Sequence, residues 1–206
     1  MVIGHPMKDA VRTVSTRDAI LDATDRLLAR YGYKKMTIDD LAQEVGIGKG
    51  SVYLHFKSKE EIVLSHIDRI IERLNRRLML ITERSGTCEE RLRGMLVERV
   101  LYRFDSVQHY TQSLNDLLSY VRPKLLERRK RYFAEEASIF ATVIKEGQQR
   151  GEFSGGNASD IAASFLTATN SLLPYSLSTQ ELGERKEIER GTRRVADLLL
   201  KGLIRR

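Results

Sequence analysis

The sequence predicts an all-α protein of about nine helices, and three observations carry that prediction. Apolar residues recur at i, i+3, i+4 and i+7, as in Ile38, Leu41, Ala42 and Val45, the spacing of one helix face. The periodic segments are separated by glycine, proline or capping residues, and only 3 prolines occur in 206 residues, so little interrupts the helices themselves. Nowhere does the chain show a convincing strand alternation.

Residues 1 to 15 lack periodicity and contain Gly4 and Pro6. Lys8, Arg12 and the adjacent Arg17 make this arm mildly cationic, and it reads as a solvated tail rather than a DNA-contacting one. A first helix starts at Thr16, turns Ile20, Leu21, Thr24, Leu27, Leu28 and Tyr31 inward, and stops at Gly32. Thr37 sits where an N-cap belongs, with Asp39 and Asp40 in the first turn, where carboxylates suit the helix dipole. Gly46 follows the end of that stripe at Val45 and can take the left-handed conformation that closes a helix. Ile47 is then available to plug the corner. A second short helix opens at Gly48-Lys49-Gly50-Ser51, with Val52 and Phe56 inward and Ser51, Tyr53 and His55 outward among Lys49, Lys57 and Lys59. A helix, a glycine corner and a second short helix with a polar, basic outer face form a helix-turn-helix, whose second helix enters the major groove.

Ser58 caps the next helix, and Glu61 three residues on completes a capping box. This helix reaches Ser85-Gly86; at about 27 residues it spans roughly 40 Å, enough to link two domains. Thr87 caps a helix with Leu92, Leu96, Val97, Val100, Leu101 and Phe104 inward. Another covers Ser106 to Val121, and Pro123 marks a boundary because it disfavours helix at the preceding residue. A long helix runs from Pro123 to Gln149, its basic start Lys124 to Arg131 reading as a solvated face rather than a nucleic-acid site. Asn157 begins the least polar helix, which Pro174 closes. Tyr175 to Gly183 reads as a loop, and a last helix covers Glu184 to Ile204.

The run Gly46 to Lys59, with Ser51-Val52-Tyr53-Leu54-His55-Phe56 followed by Lys57-Ser58-Lys59-Glu60-Glu61, resembles the DNA-binding domain of the TetR family of transcriptional regulators. The resemblance is specific over the first quarter of the chain and architectural beyond it. It implies a helix-turn-helix domain over residues 1–57 and a helical bundle over 58–206 that binds an effector and dimerises. It implies that Lys49, Gly50, Ser51, Tyr53 and His55 line the DNA face, that Lys59 reaches a phosphate, and that Thr37 both caps its helix and donates to phosphate. By donor chemistry Tyr53, His55, Thr37 and Lys59 suit phosphate oxygens, while Lys49 and Ser51 are better placed for base edges.

One helix-turn-helix reads few base pairs. Specificity therefore calls for a homodimer with recognition helices about 34 Å apart on a palindromic operator in double-stranded DNA. Phe165, Leu172, Ile188, Val195, Leu198, Leu199 and Leu203, on the last two helices, are the candidate dimer interface. Candidate effector-pocket residues are Leu101, Phe104, His109, Tyr110, Leu114, Leu117, Tyr120, Phe133, Phe140, Phe165, Thr169 and Asn170. Apolar walls with a few polar handles suit a hydrophobic small molecule, though each residue equally suits plain bundle core, and it is the resemblance that implies a cavity. The expected function is a repressor released by that molecule. The alternatives are a regulator independent of an effector or controlled by a protein partner, and, more distantly, a helical-bundle enzyme.

Composition agrees. A hydrophobic share of 41% excludes disorder and collagen-like classes, and a net charge of +7 suits a polyanionic partner. Cys88 is the only cysteine, so neither an intrachain disulfide nor a cysteine zinc cluster can form. A cytoplasmic protein is expected, with no signal-peptide core and no apolar stretch long enough for a membrane. His66 and His109 lack ligand partners at helical spacing, and no nucleophile elbow, phosphate loop or carboxylate pair is present. No catalytic residue, metal or cofactor is expected.

Overall fold

The computed structural model describes residues 15–110, 114–174 and 183–204, the side chains of Leu114 and Asn115 excepted. The N-terminal arm, most of the loop after Pro174, and Leu114 as a pocket candidate lie outside the described residues. Eight α-helices are formed: α1 Thr16–Lys35, α2 Ile38–Val45, α3 Lys49–His55, α4 Lys59–Thr82, α5 Cys88–Val107, α6 Leu114–Gln149, α7 Ala158–Thr169 and α8 Arg185–Leu203. Single 3-10 turns follow α5 and α7, and no strand occurs among the described residues.

The caps explain where the first helices begin and end. Ser15 accepts from the Asp18 amide to start α1, and Gly32, at φ 70°, breaks its helical geometry near the end, a conformation glycine takes without a Cβ penalty. Thr37 and Asp40 form a reciprocal capping box at the start of α2, and Gly46, at φ 75°, closes it. At the start of α4 only half of the expected box forms. Ser58 accepts from the Glu61 amide at 3.1 Å, but Glu61 reaches one residue further back, to the Lys57 amide at 2.7 Å, satisfying a backbone donor in the corner between α3 and α4.

Two other expectations are corrected. Tyr31 is exposed rather than inward, because it sits at the Gly32 break, past the stretch of α1 that α2 and α3 cover. No boundary occurs at Pro123, which lies inside α6; two expected helices are one, so the described residues hold eight, close to the nine expected. The missing proline N–H removes the usual i+4 bond to the Ser119 carbonyl, but Ser119 and Pro123 share an exposed face, so water can serve it. The basic run is exposed at Lys124, Arg129, Lys130 and Arg131, as a solvated face would be, yet several of its cations are paired. Lys124 pairs with Glu60 at 2.5 Å, Arg131 with Asp68 at 3.0 Å, and Arg128 and Tyr132 also bond Asp68, which ties α6 along α4.

Two cores result. One joins α1, α2, α3 and the start of α4 and also takes in Tyr110, Leu117 and Val121; the other fills the bundle of α4 to α8 around Leu74, Leu96, Phe140, Phe165 and Leu200. Helix α4, 24 residues and about 36 Å long, belongs to both.

Where α1, α4 and the first 3-10 turn meet, Tyr110 donates to Asp25, and His66 Nε2 lies 3.1 Å from the Tyr110 hydroxyl and 3.5 Å from Asp25. The hydrogen bond from His66, reinforced by that of Tyr110, holds the Asp25 carboxyl down to about 2 against an ordinary 3.8. A depressed carboxylate adds stability that is complete above its unfolded value and disappears as the pH falls through its folded one. The Asp25 contribution is therefore lost between pH 3.8 and about 2. Urea midpoints across that window are expected to fall less steeply for Asp25→Asn than for the wild type, and parallel curves would refute the link.

Candidate DNA interface and effector pocket

Helix α3 has only seven residues, too few to be stable alone, so its orientation is set by its anchors. Val52 and Phe56 are 0% and 2% exposed, within the core built by α1 and α2. With these inward, Tyr53 is 49% and Leu54 85% exposed, and Lys49, Gly50, His55 and Lys57 are exposed with Ser51 half-buried. The corner set by Gly46 and Ile47 holds this face clear of the rest of the chain.

Three of the candidate contacts already have partners. The Lys49 ammonium is 2.8 Å from Asp39, which raises its pKa; an exposed pair of this kind contributes about 0–1 kcal/mol, so a base edge can compete for the lysine. The Thr37 hydroxyl donates to Asp40 at 2.7 Å and must turn away to serve a phosphate. Lys59 is half-buried: its ammonium donates to the carbonyls of Tyr33 at 2.9 Å and Met36 at 3.1 Å and lies over the Tyr33 ring, and burial lowers its pKa. Two of its three protons thus secure the end of α1. Arg17, left among the arm residues by the sequence, sits 5.1 Å above the Phe56 ring and places a cation beside the end of α3.

Gly50 is informative because nothing in the chain requires it. A Cβ there meets no atom within 4 Å, and the backbone is not left-handed. Gly50→Ala is accordingly expected to raise stability by about 0.5–1 kcal/mol through helix propensity while weakening DNA binding. Thermal unfolding and binding titrations check the two halves; an alanine variant with unchanged DNA affinity would remove Gly50 from the interface.

A second concave feature, of about 120 Å³, lies between α4, α5 and α6. Its apolar walls are Ile67 and Ile71 of α4 with Leu118, Leu125, Leu126 and Phe133 of α6. Its polar lining is Arg99, Arg103, Arg122, Arg129, Tyr132, Glu136 and Asn170. Glu136 is fully buried and bridges two of the arginines: Arg99 Nε donates to it at 2.7 Å and Arg103 also bonds it, while Arg99 reaches Thr169 and Asn170 at 2.8 Å each.

Of the pocket candidates, Phe133 and Asn170 line this cavity, and Thr169 holds Arg99 behind it. Leu101 and Phe104 pack with Leu173 and Ile188, and Phe140 and Phe165 are bundle core. Tyr110 and Leu117 belong to the N-terminal core; Tyr120 stacks near Tyr33 at 5.1 Å, and His109 is exposed. Leu117, Tyr120 and Phe140 lie off the cavity because α6 presents to it a different stripe, that of Leu118, Arg122, Leu125 and Arg129. The arginines were missed, yet a signal existed: Leu92, Leu96, Arg99 and Arg103 follow the helical spacing of one inward face.

The interface candidates also separate. Phe165, Ile188 and Leu203 are buried within the chain and have no surface left for a partner. Leu198 is 71% exposed, and Leu172, Val195 and Leu199 are half-buried.

Comparison with known proteins matches residues 20–65 to the family described as bacterial regulatory proteins, tetR family. That span contains α2, α3 and most of α1. The transcriptional repressor KstR2 of Mycolicibacterium smegmatis is 27% identical over 158 residues, covering 75% of this chain and 76% of the repressor. A transcriptional regulator from Cytophaga hutchinsonii shares the fold at TM-score 0.76 and 21% identity, over 90% of this chain and 97% of that one. The regulator FadR of Bacillus subtilis, solved in complex with stearoyl-CoA, aligns at TM-score 0.64 and 18% identity, over 89% and 97%. With its helix-turn-helix geometry, the segment within residues 20–65 carries the pattern of the family described as bacterial regulatory proteins, tetR family.

Proposed function

We propose that the protein is a repressor that binds a palindromic operator as a homodimer in the cytoplasm, residues 1–57 reading DNA and residues 58–206 receiving an effector and dimerising. One observation carries the DNA reading: Val52 and Phe56 are sealed in the core while Tyr53, Leu54 and His55 project from it. Helix α8 supplies the dimer contact through Leu198, the most exposed of its large apolar residues, with Val195 and Leu199 beside it. The repressor reading is supported by the similarity to KstR2.

The effector is a hydrophobic molecule bearing an anionic group. Its site places four arginines and one glutamate among apolar walls, and the stearoyl-CoA held by the Bacillus regulator is a molecule of that chemistry. A volume of about 120 Å³ is below the roughly 300 Å³ of small ligand sites. Occupancy must therefore part α6 from α4, straining the contacts to Glu60 and Asp68, and α4 carries that movement toward α1 and α3. Such coupling requires only that the effector bind the parted state more tightly.

Purified full-length protein incubated with a random-sequence duplex library at fixed salt is expected to retain fragments sharing an inverted repeat with half-sites about one helical turn apart. Retained DNA with no recurring sequence would overturn the reading. With the repeat in hand, stearoyl-CoA is expected to release it and stearyl alcohol to fail. The small cavity favours a second reading, control without a small effector; indifference of DNA binding to every amphiphile would select it.

A further inference from the structure

We infer that Leu54 is a sequence-reading residue, contacting the 5-methyl group of a thymine in each operator half-site. The inference rests on α3 being the groove-entering helix. Leu54 lies about 200° around the helix from the anchor Val52, so it points directly away from the core, and its 85% exposure agrees. Tyr53 and His55 step about 100° to either side and flank this tip. Gly50 and Ser51, one turn back, share its face. Because Gly50 offers no side chain and touches nothing in the chain, the helix can settle closely, which brings Leu54 to the groove floor.

The chemistry then selects the contact. Base edges in the major groove present donors and acceptors, and the thymine methyl is the apolar exception among them. Leucine pressed on a polar edge would strip it of water and return no hydrogen bond; pressed on a methyl it buries apolar surface on both sides. The surrounding Lys49, Lys57 and His55 are exposed and complement the flanking phosphates, so the leucine sits in the middle of a cationic face, where an anionic duplex covers it.

The test uses a synthetic duplex carrying the inverted repeat recovered from the random library, with thymines replaced by deoxyuridine one symmetric pair at a time. For the wild type, one pair is expected to lower affinity about 15-fold, from about four-fold per lost methyl contact. Leu54→Ala, whose thermal midpoint should match the wild type because the side chain is exposed, is expected to bind thymine and deoxyuridine duplexes equally. Equal losses in both proteins, an absence of any methyl-sensitive pair, or a repeat devoid of thymine would each overturn the inference while leaving DNA recognition by α3 standing. Failure to recover a repeat at all would overturn both.

Discussion

Glu136→Gln is expected to lower the free energy of unfolding by about 3–5 kcal/mol, the range for removing one partner of a buried ion pair. Glu136 is fully enclosed and accepts from Arg99 and Arg103 through separate oxygens. Glutamine preserves the volume, but it removes the negative charge the two guanidiniums share and turns an amide N–H₂ toward one of them. Both arginines are themselves buried, so water cannot readily replace what is lost. Against a total stability of typically 5–15 kcal/mol, the loss is large and readable as a shift of the urea midpoint at neutral pH. A cost below about 1 kcal/mol, the level of an exposed pair such as Lys49 with Asp39, would show that the triad is not a strut. Replacing the whole triad by apolar residues of similar volume should cost less than the single change, because no stranded charge remains.

Tyr53→Ala combined with His55→Ala is expected to reduce operator affinity about 10⁴-fold: hydrogen bonds to a charged acceptor contribute at least about 1.5 kcal/mol each, and a dimer loses four. Stability should change by no more than about 0.5 kcal/mol, since both side chains are exposed and no core contact is removed. Tyr53→Ala alone removes no cation and should leave the salt dependence of binding unaltered, whereas losing a phosphate-bound lysine would flatten it. Anisotropy titrations at several salt concentrations measure both quantities. Retained affinity in the double variant would exclude α3 as the reading helix, and a collapsed unfolding transition would mean that these residues support the domain instead.

The helix-turn-helix was legible in the sequence because its determinants are local. Thr37 and Asp40 lie three residues apart, Gly46 ends a helix by its own conformation, and Val52 and Phe56 declare an inward face that leaves Tyr53 and His55 outside. Local rules fail where contacts come from distant segments. Pro123 is tolerated within a helix because α4 holds α6 on its far side through Glu60 and Asp68, residues more than fifty positions away. The lining of the cavity was not legible for the same reason: aromatic and apolar residues of the bundle look alike in sequence, and which stripe of α6 faces a cavity depends on how α4, α5 and α6 pack. By itself the sequence determined an all-helical chain with a helix-turn-helix and the face that α3 turns outward. Only the tertiary structure decided that Arg99, Arg103 and Glu136 meet behind a cationic pocket, because burial of charge is possible only where separate helices bring the partners together.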